Sequence, residues 1–185
     1  MDAAEPIANL RSAIESLIEA GARRIVVGNL PPLGQLPATR NRDSAVRLDR
    51  LAVSHNQQVA ALVAELGQRD GATARLLDVN DLFERAIASL PLGTGEFNFT
   101  NVTEACLDAQ RETICANPDQ YLFWDGIHPT RAAHERISEV ALSLSVAMST
   151  TREFDRPAAP VLLGLGGLIL GSLAAIAVAI RAKKR

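Results

Sequence analysis

Arg24–Leu30, RIVVGNL, is a short run rich in β-branched residues and apolar without alternation. Such a run makes a strand covered on both faces, the habit of parallel sheets. Before it, Ile7, Leu10, Ile14, Leu17 and Ile18 recur at helical spacing between Pro6 and Glu19, and Gly21 ends the pattern. After it, Pro31–Arg42 reads as a loop. A second helix opens near Asp43 or Ser44, either of which caps it, with a stripe of Leu48, Leu51, Ala52, His55, Val59, Leu62, Val63 and Leu66. Ala74–Val79 reads as a second strand, and Asn80–Leu90 as a short helix capped by Asn80 or Asp81. Pro91–Pro129 reads as long and irregular. A last helix follows, with Ala133, Ile137, Val140, Ala141, Leu144 and Met148 on one face. Helix–strand–helix–strand–helix predicts an α/β fold with parallel strands. Two strands leave an unpaired edge, so the pattern predicts part of a larger sheet whose front is absent.

The chain has 185 residues, of which 48% are apolar and 22% charged, with a formal net charge of −2. That is the length of one domain, and the balance lacks the basic excess of a nucleic-acid binder. Four of the basic residues crowd into Arg181–Arg185. Ahead of them Val161–Ile180 runs twenty residues without a charge. As a helix it would be about 30 Å long, enough to cross a bilayer core. The expected organisation is a domain at 1–148, a linker at 149–160, a transmembrane helix at 161–180 and a basic cytoplasmic tail at 181–185. Positive ends stay inside, so the domain is expected outside, anchored in the membrane. Residues 1–20 carry Asp2, Glu5, Glu15 and Glu19 and lack a basic start, so they do not read as an export signal; either the domain is cytosolic, or the front that would export it is missing. Cys106 and Cys115 are close enough in sequence to bridge, which suits an oxidising compartment; two buried free thiols are the alternative.

The chemistry lies in Asn117–Thr130, NPDQYLFWDGIHPT. Asp125 and His128 stand three apart just before a helix. Ester hydrolysis needs a base active near neutral pH and a carboxylate that holds its tautomer, and Asp-x-x-His supplies both from one turn. Alone, the pair also fits half a metal site, or a helix cap beside a surface histidine. Phe123 and Trp124 adjoin the pair, either lining an acyl pocket or anchoring the core. His55 on its apolar stripe reads as core, and His134 as solvated.

The fourteen residues together resemble the last block of the GDSL, or SGNH, family of ester hydrolases, in the lipase and acylesterase branch that includes thermolabile-haemolysin-like and plant GDSL proteins. Ala22–Pro37, His55-Asn56 and Thr100–Leu107 are also similar to that branch, so the resemblance spans about residues 6–146. It implies the C-terminal portion of a three-layer α/β/α, flavodoxin-like parallel sheet. It implies a Ser-His-Asp triad with Asp125 as orienting acid and His128 as base, an ester or lipid substrate, and no metal or cofactor. The family's nucleophile sits in a Gly-Asp-Ser motif, and none occurs here. Asp43-Ser44 is the one Asp-Ser pair and reads as a helix cap; Asn29 does not match the family's oxyanion asparagine. Three readings follow: part of a serine ester hydrolase, a membrane-tethered remnant or interaction module without catalysis, or half of a split enzyme completed by an N-terminal chain. The proline-containing linker, apolar segment and basic end resemble a PEP-CTERM sorting tail, with Arg156-Pro-Ala-Ala-Pro160 in place of its Pro-Glu-Pro.

Overall fold

Strand β1, Arg24–Gly28, alternates its burial, and each face meets a different core. Ile25 and Val27 join Ile14 and Ile18 of helix α1 (Ala4–Glu19) and Val59, Leu62, Val63 and Leu66 of helix α2 (Ala45–Leu66). Val26 packs the other way, against a cluster holding Leu82, Phe83 and Ala86 of helix α3 (Val79–Ser89) and Ala133 of helix α4 (Arg131–Phe154). Both faces of the strand are thus covered, as its composition predicts. This computed structural model describes residues 4–67, 69, 71–89, 97–108 and 112–154.

Strand β2, Thr73–Leu77, lies parallel to β1 with Ile25 opposite Ala74 and Val27 opposite Leu76, and α2 makes the crossover. The expected irregular stretch before Pro129 is partly ordered. Strand β3, Asn101–Ala105, pairs in parallel with β6, Tyr121–Phe123, through a register shift. Between them β4, Leu107–Asp108, and β5, Thr113–Ile114, form a short antiparallel pair, and Pro118–Gln120 is one turn of 3-10 helix. These strands are two to five residues long and broken by bends, too short for periodicity to reveal.

The expected fold class needs correction in two respects. Among the described residues the strands form three separate two-stranded sheets, not one continuous parallel sheet, because β3 and β6 pair with each other and not with β1 or β2. The transmembrane helix of that expectation is not supported by the described residues. Among the described residues no helix is long and apolar enough to cross a membrane. The longest, α2 and α4, carry Arg47, Asp49, Arg50 and Glu65, and Arg131, Glu135, Arg136 and Glu139. The 161–180 segment, with the basic tail and sorting motif, lies outside the described residues.

Two capping expectations also change. Ser44 sits at the start of α2 with helical backbone and makes no side-chain cap bond. Helix α3 is capped by Asp78, whose Oδ1 accepts the Asp81 amide and the Asn29 side-chain amide, at 3.0 and 2.9 Å. The Pro31–Arg42 loop is pinned to α2, where Gly34 N–H donates to Asp49 Oδ1 at 2.7 Å. A Cβ on Gly34 would lie 2.2 Å from the Ala45 carbonyl oxygen, so only glycine fits there. Asn56 holds the start of the same loop, accepting from Leu30 N–H at 3.0 Å and donating to Leu30 C=O at 2.8 Å.

Candidate functional site

The Asp125–His128 turn is held at both ends by buried structure. On its N-terminal side β6 ends in Leu122 and Phe123, both in the core. On its C-terminal side Thr130, 1% exposed, caps α4. Its Oγ1 accepts the Ala133 amide at 3.2 Å and donates to the Tyr121 carbonyl at 2.6 Å, joining helix start to strand start. Pro129 bridges to Phe123, and the Trp124 amide donates to the His128 carbonyl at 2.8 Å, closing the loop.

Within the loop one carboxylate does three things. Asp125 Oδ1 accepts the amides of Ile127 at 2.8 Å and His128 at 2.7 Å, and Oδ2 lies 2.7 Å from His128 Nδ1. The amide bonds make an Asx turn that fixes the carboxylate relative to the backbone carrying the histidine. Burial pushes the Asp125 carboxyl up. The bonds from the Ile127 and His128 amides, then the His128 ring, outweigh it and leave the group below the usual carboxylate range. Asp125 is therefore ionised at neutral pH and accepts only, so Nδ1 of a neutral His128 carries the ring proton. Nε2 is left with its lone pair. His128 is 66% exposed on its side chain against 30% for Asp125, so the carboxylate is the more sheltered of the two and the imidazole the more exposed.

The loop is buttressed from a third side. Ala38 N–H, in the Pro31–Arg42 loop, donates to the Gly126 carbonyl at 3.0 Å. A Cβ on Gly126 would come 3.1 Å from Ala38 Cβ, so glycine permits this close approach.

Phe123 is 0% exposed and packs on Phe83 at 5.8 Å between ring centroids, a core role. Trp124 is half-buried, and its backbone holds the loop. His55 is half-buried on α2, and His134 is exposed one turn into α4. Among the described residues no group of three His, Cys, Asp or Glu side chains converges to hold a metal ion. Cys106 and Cys115 are disulfide-bonded, with an S–S distance of 1.99 Å. Thr130 was absent from the sequence-based candidates, although a threonine just ahead of an apolar helical stripe is a standard start signal.

A family model described as GDSL-like Lipase/Acylhydrolase matches residues 2–141. Three curated relatives from Arabidopsis thaliana illustrate the likeness. GDSL esterase/lipase At5g22810 is 28% identical over 159 residues, covering 77% of this chain and 43% of the relative. GDSL esterase/lipase APG is 30% identical over 147 residues, covering 70% and 41%. GDSL esterase/lipase At3g53100 is 31% identical over 155 residues, covering 73% and 42%. The chain thus spans less than half the length of these relatives.

Proposed function

The chain belongs to the GDSL-like lipase/acylhydrolase family, and from that premise we propose that Asp125 and His128 are the acid and base of a serine ester hydrolase. The carrying observation is the 2.7 Å contact between His128 Nδ1 and Asp125 Oδ2, on an imidazole whose side chain is 66% exposed. In this reading Nε2 takes the proton of a serine hydroxyl as its oxygen bonds to the ester carbonyl carbon. Asp125 stabilises the imidazolium. Nε2 then gives the proton to the departing alcohol, and the C–O bond to the leaving group breaks. Water, deprotonated by the same nitrogen, attacks the acyl carbon; the bond to the serine oxygen breaks, the proton passes from Nε2 to that oxygen, and the acid is released. The 185 residues hold no Gly-Asp-Ser, so the serine is supplied from outside them, by adjoining polypeptide or a second chain. Membership of a lipase/acylhydrolase family favours acyl esters as substrates.

Protein purified from its native source, where whatever supplies the serine is present, tests the reading. Hydrolysis of p-nitrophenyl butyrate should fall by at least about 10⁴-fold in His128→Ala. A fluorophosphonate should label one serine outside these residues. Hydrolysis unchanged by His128→Ala overturns the proposal.

A further inference from the structure

We infer that the Cys106–Cys115 disulfide and the short hairpin it ties are a positioning device for the Asp125–His128 pair, a role that rests on the ester-hydrolase reading above. The path is short and made of backbone bonds. Beyond the β3–β6 pairing, the chain continues alongside β6. Cys106 N–H donates to the Phe123 carbonyl at 3.0 Å and Leu107 N–H to the Trp124 carbonyl at 2.7 Å. Trp124 is the residue before Asp125, and its own N–H closes the loop on the His128 carbonyl. The root of the dyad loop is therefore held by residues 106 and 107 on one side and by its own closure on the other.

Among the described residues the β4–β5 hairpin has two residue pairs, Leu107 with Ile114 and Asp108 with Thr113, and Thr113 and Ile114 are exposed. A hairpin of that size is not stable on its own in water. The disulfide closes it beside one further backbone bond, Cys115 N–H to the Cys106 carbonyl at 2.8 Å. Cys106 is 3% exposed, so the tie is anchored in the core directly behind the loop. Cross-linking removes freedom from the open form of the hairpin and so keeps the Leu107 amide on the Trp124 carbonyl. A catalytic pair needs this kind of support, because displacement of about 1 Å costs about 100-fold in rate.

The tautomer of His128 reports the geometry without any need for turnover. In the intact full chain, ring ¹⁵N shifts should show His128 protonated at Nδ1. In Cys115→Ala the ring should move toward the Nε2-protonated form of a free imidazole, while cooperative unfolding and far-UV circular dichroism persist. Leu107→Pro keeps both cysteines and removes the amide that bonds to Trp124, and it should produce the same shift. In native-source enzyme Cys115→Ala should lower kcat about tenfold with KM unchanged. An unmoved tautomer in both variants overturns the inference, as does loss of cooperative unfolding in both, which would make the hairpin part of the fold. A tautomer shift in a protein that hydrolyses no ester would sink the functional reading and leave the positioning role standing. Hydrolysis that needs His128 but ignores Cys115→Ala, with no tautomer shift, would do the reverse.

Discussion

The two cores of the molecule are built on different principles. The core under α1 and α2 is aliphatic and periodic: Ile14, Ile18, Ile25, Val27, Val59, Leu62, Val63 and Leu66, with alanines between. Its rim is stitched by exposed ion pairs, Arg11 with Glu65 and Arg69 with Glu15. The core under α3 and α4 contains Phe83, Phe97 and Phe123 among short strands, and is fastened by a cap, an Asx turn and a disulfide. The first core needs only apolar residues at the right spacing and tolerates exchange among them. The second depends on particular atoms meeting. The side chains with chemistry sit on the second, because a loop can hold a carboxylate against an imidazole only where individual bonds fix it.

Truncations probe that contrast most strongly. Phe123→Ala should cost about 3–5 kcal/mol by urea unfolding, more than Val59→Ala in the periodic core, because an unfilled aromatic site beside Phe83 collapses poorly. Equal losses would mean the cores are not different in kind.

Thr130→Val comes next. The two are nearly isosteric, yet the change strips the cap from α4 and leaves the Tyr121 carbonyl and Ala133 amide short of a partner. A loss of about 1–3 kcal/mol is expected. A near-neutral Thr130→Val in the same measurement would show that burial alone holds this region.

The third prediction concerns pH. Folding holds the Asp125 carboxyl below its ordinary value of 3.8. Its charged-state contribution is therefore fully present above that value and fades as pH falls through the lower folded-state value. Wild type should exceed Asp125→Asn in unfolding midpoint at neutral pH. The margin should shrink once pH drops below the ordinary value. A margin independent of pH down to the acid limit would remove the ionic role of Asp125.

Glu65→Gln should have the smallest effect. Its carboxyl is lowered by hydrogen bonding to Arg11, but the pair is exposed and screened by salt. The unfolding midpoint should barely move at low salt and not at all in 0.5 M sodium chloride, by the about 4 Å screening length there. A large change would make the rim of the periodic core as specific as the loop of the other.

Periodic elements were legible residue by residue: α1, β1, α2, β2 and most of α4 follow from stripes of apolar side chains. The second core was not. β3 and β6 have five and three residues, and their pairing is set by where Thr100, Cys106 and Leu107 meet the backbone of Gln120, Phe123 and Trp124. Phe123 was visible only as a neighbour of the dyad, since nothing in its position along the chain distinguishes a pocket wall from a core ring. Ser44 and Asn80 had the composition of caps, but Asp78 and Thr130 hold the positions from which a side-chain oxygen reaches an unpaired helix amide.

Asp125 and His128 could be picked out from the sequence alone, because three residues of separation in one turn is local geometry and needs no partner from elsewhere. That turn also determines the bond to the ring nitrogen and the two amides. The sequence could not determine that His128 is exposed and Asp125 sheltered, nor that Ala38 leans on Gly126, nor that a hairpin tied at Cys106 and Cys115 backs the loop. Each of these is a meeting of segments far apart along the chain. Such meetings depend on how the two cores pack around β1, and folding sets them only when the whole domain closes.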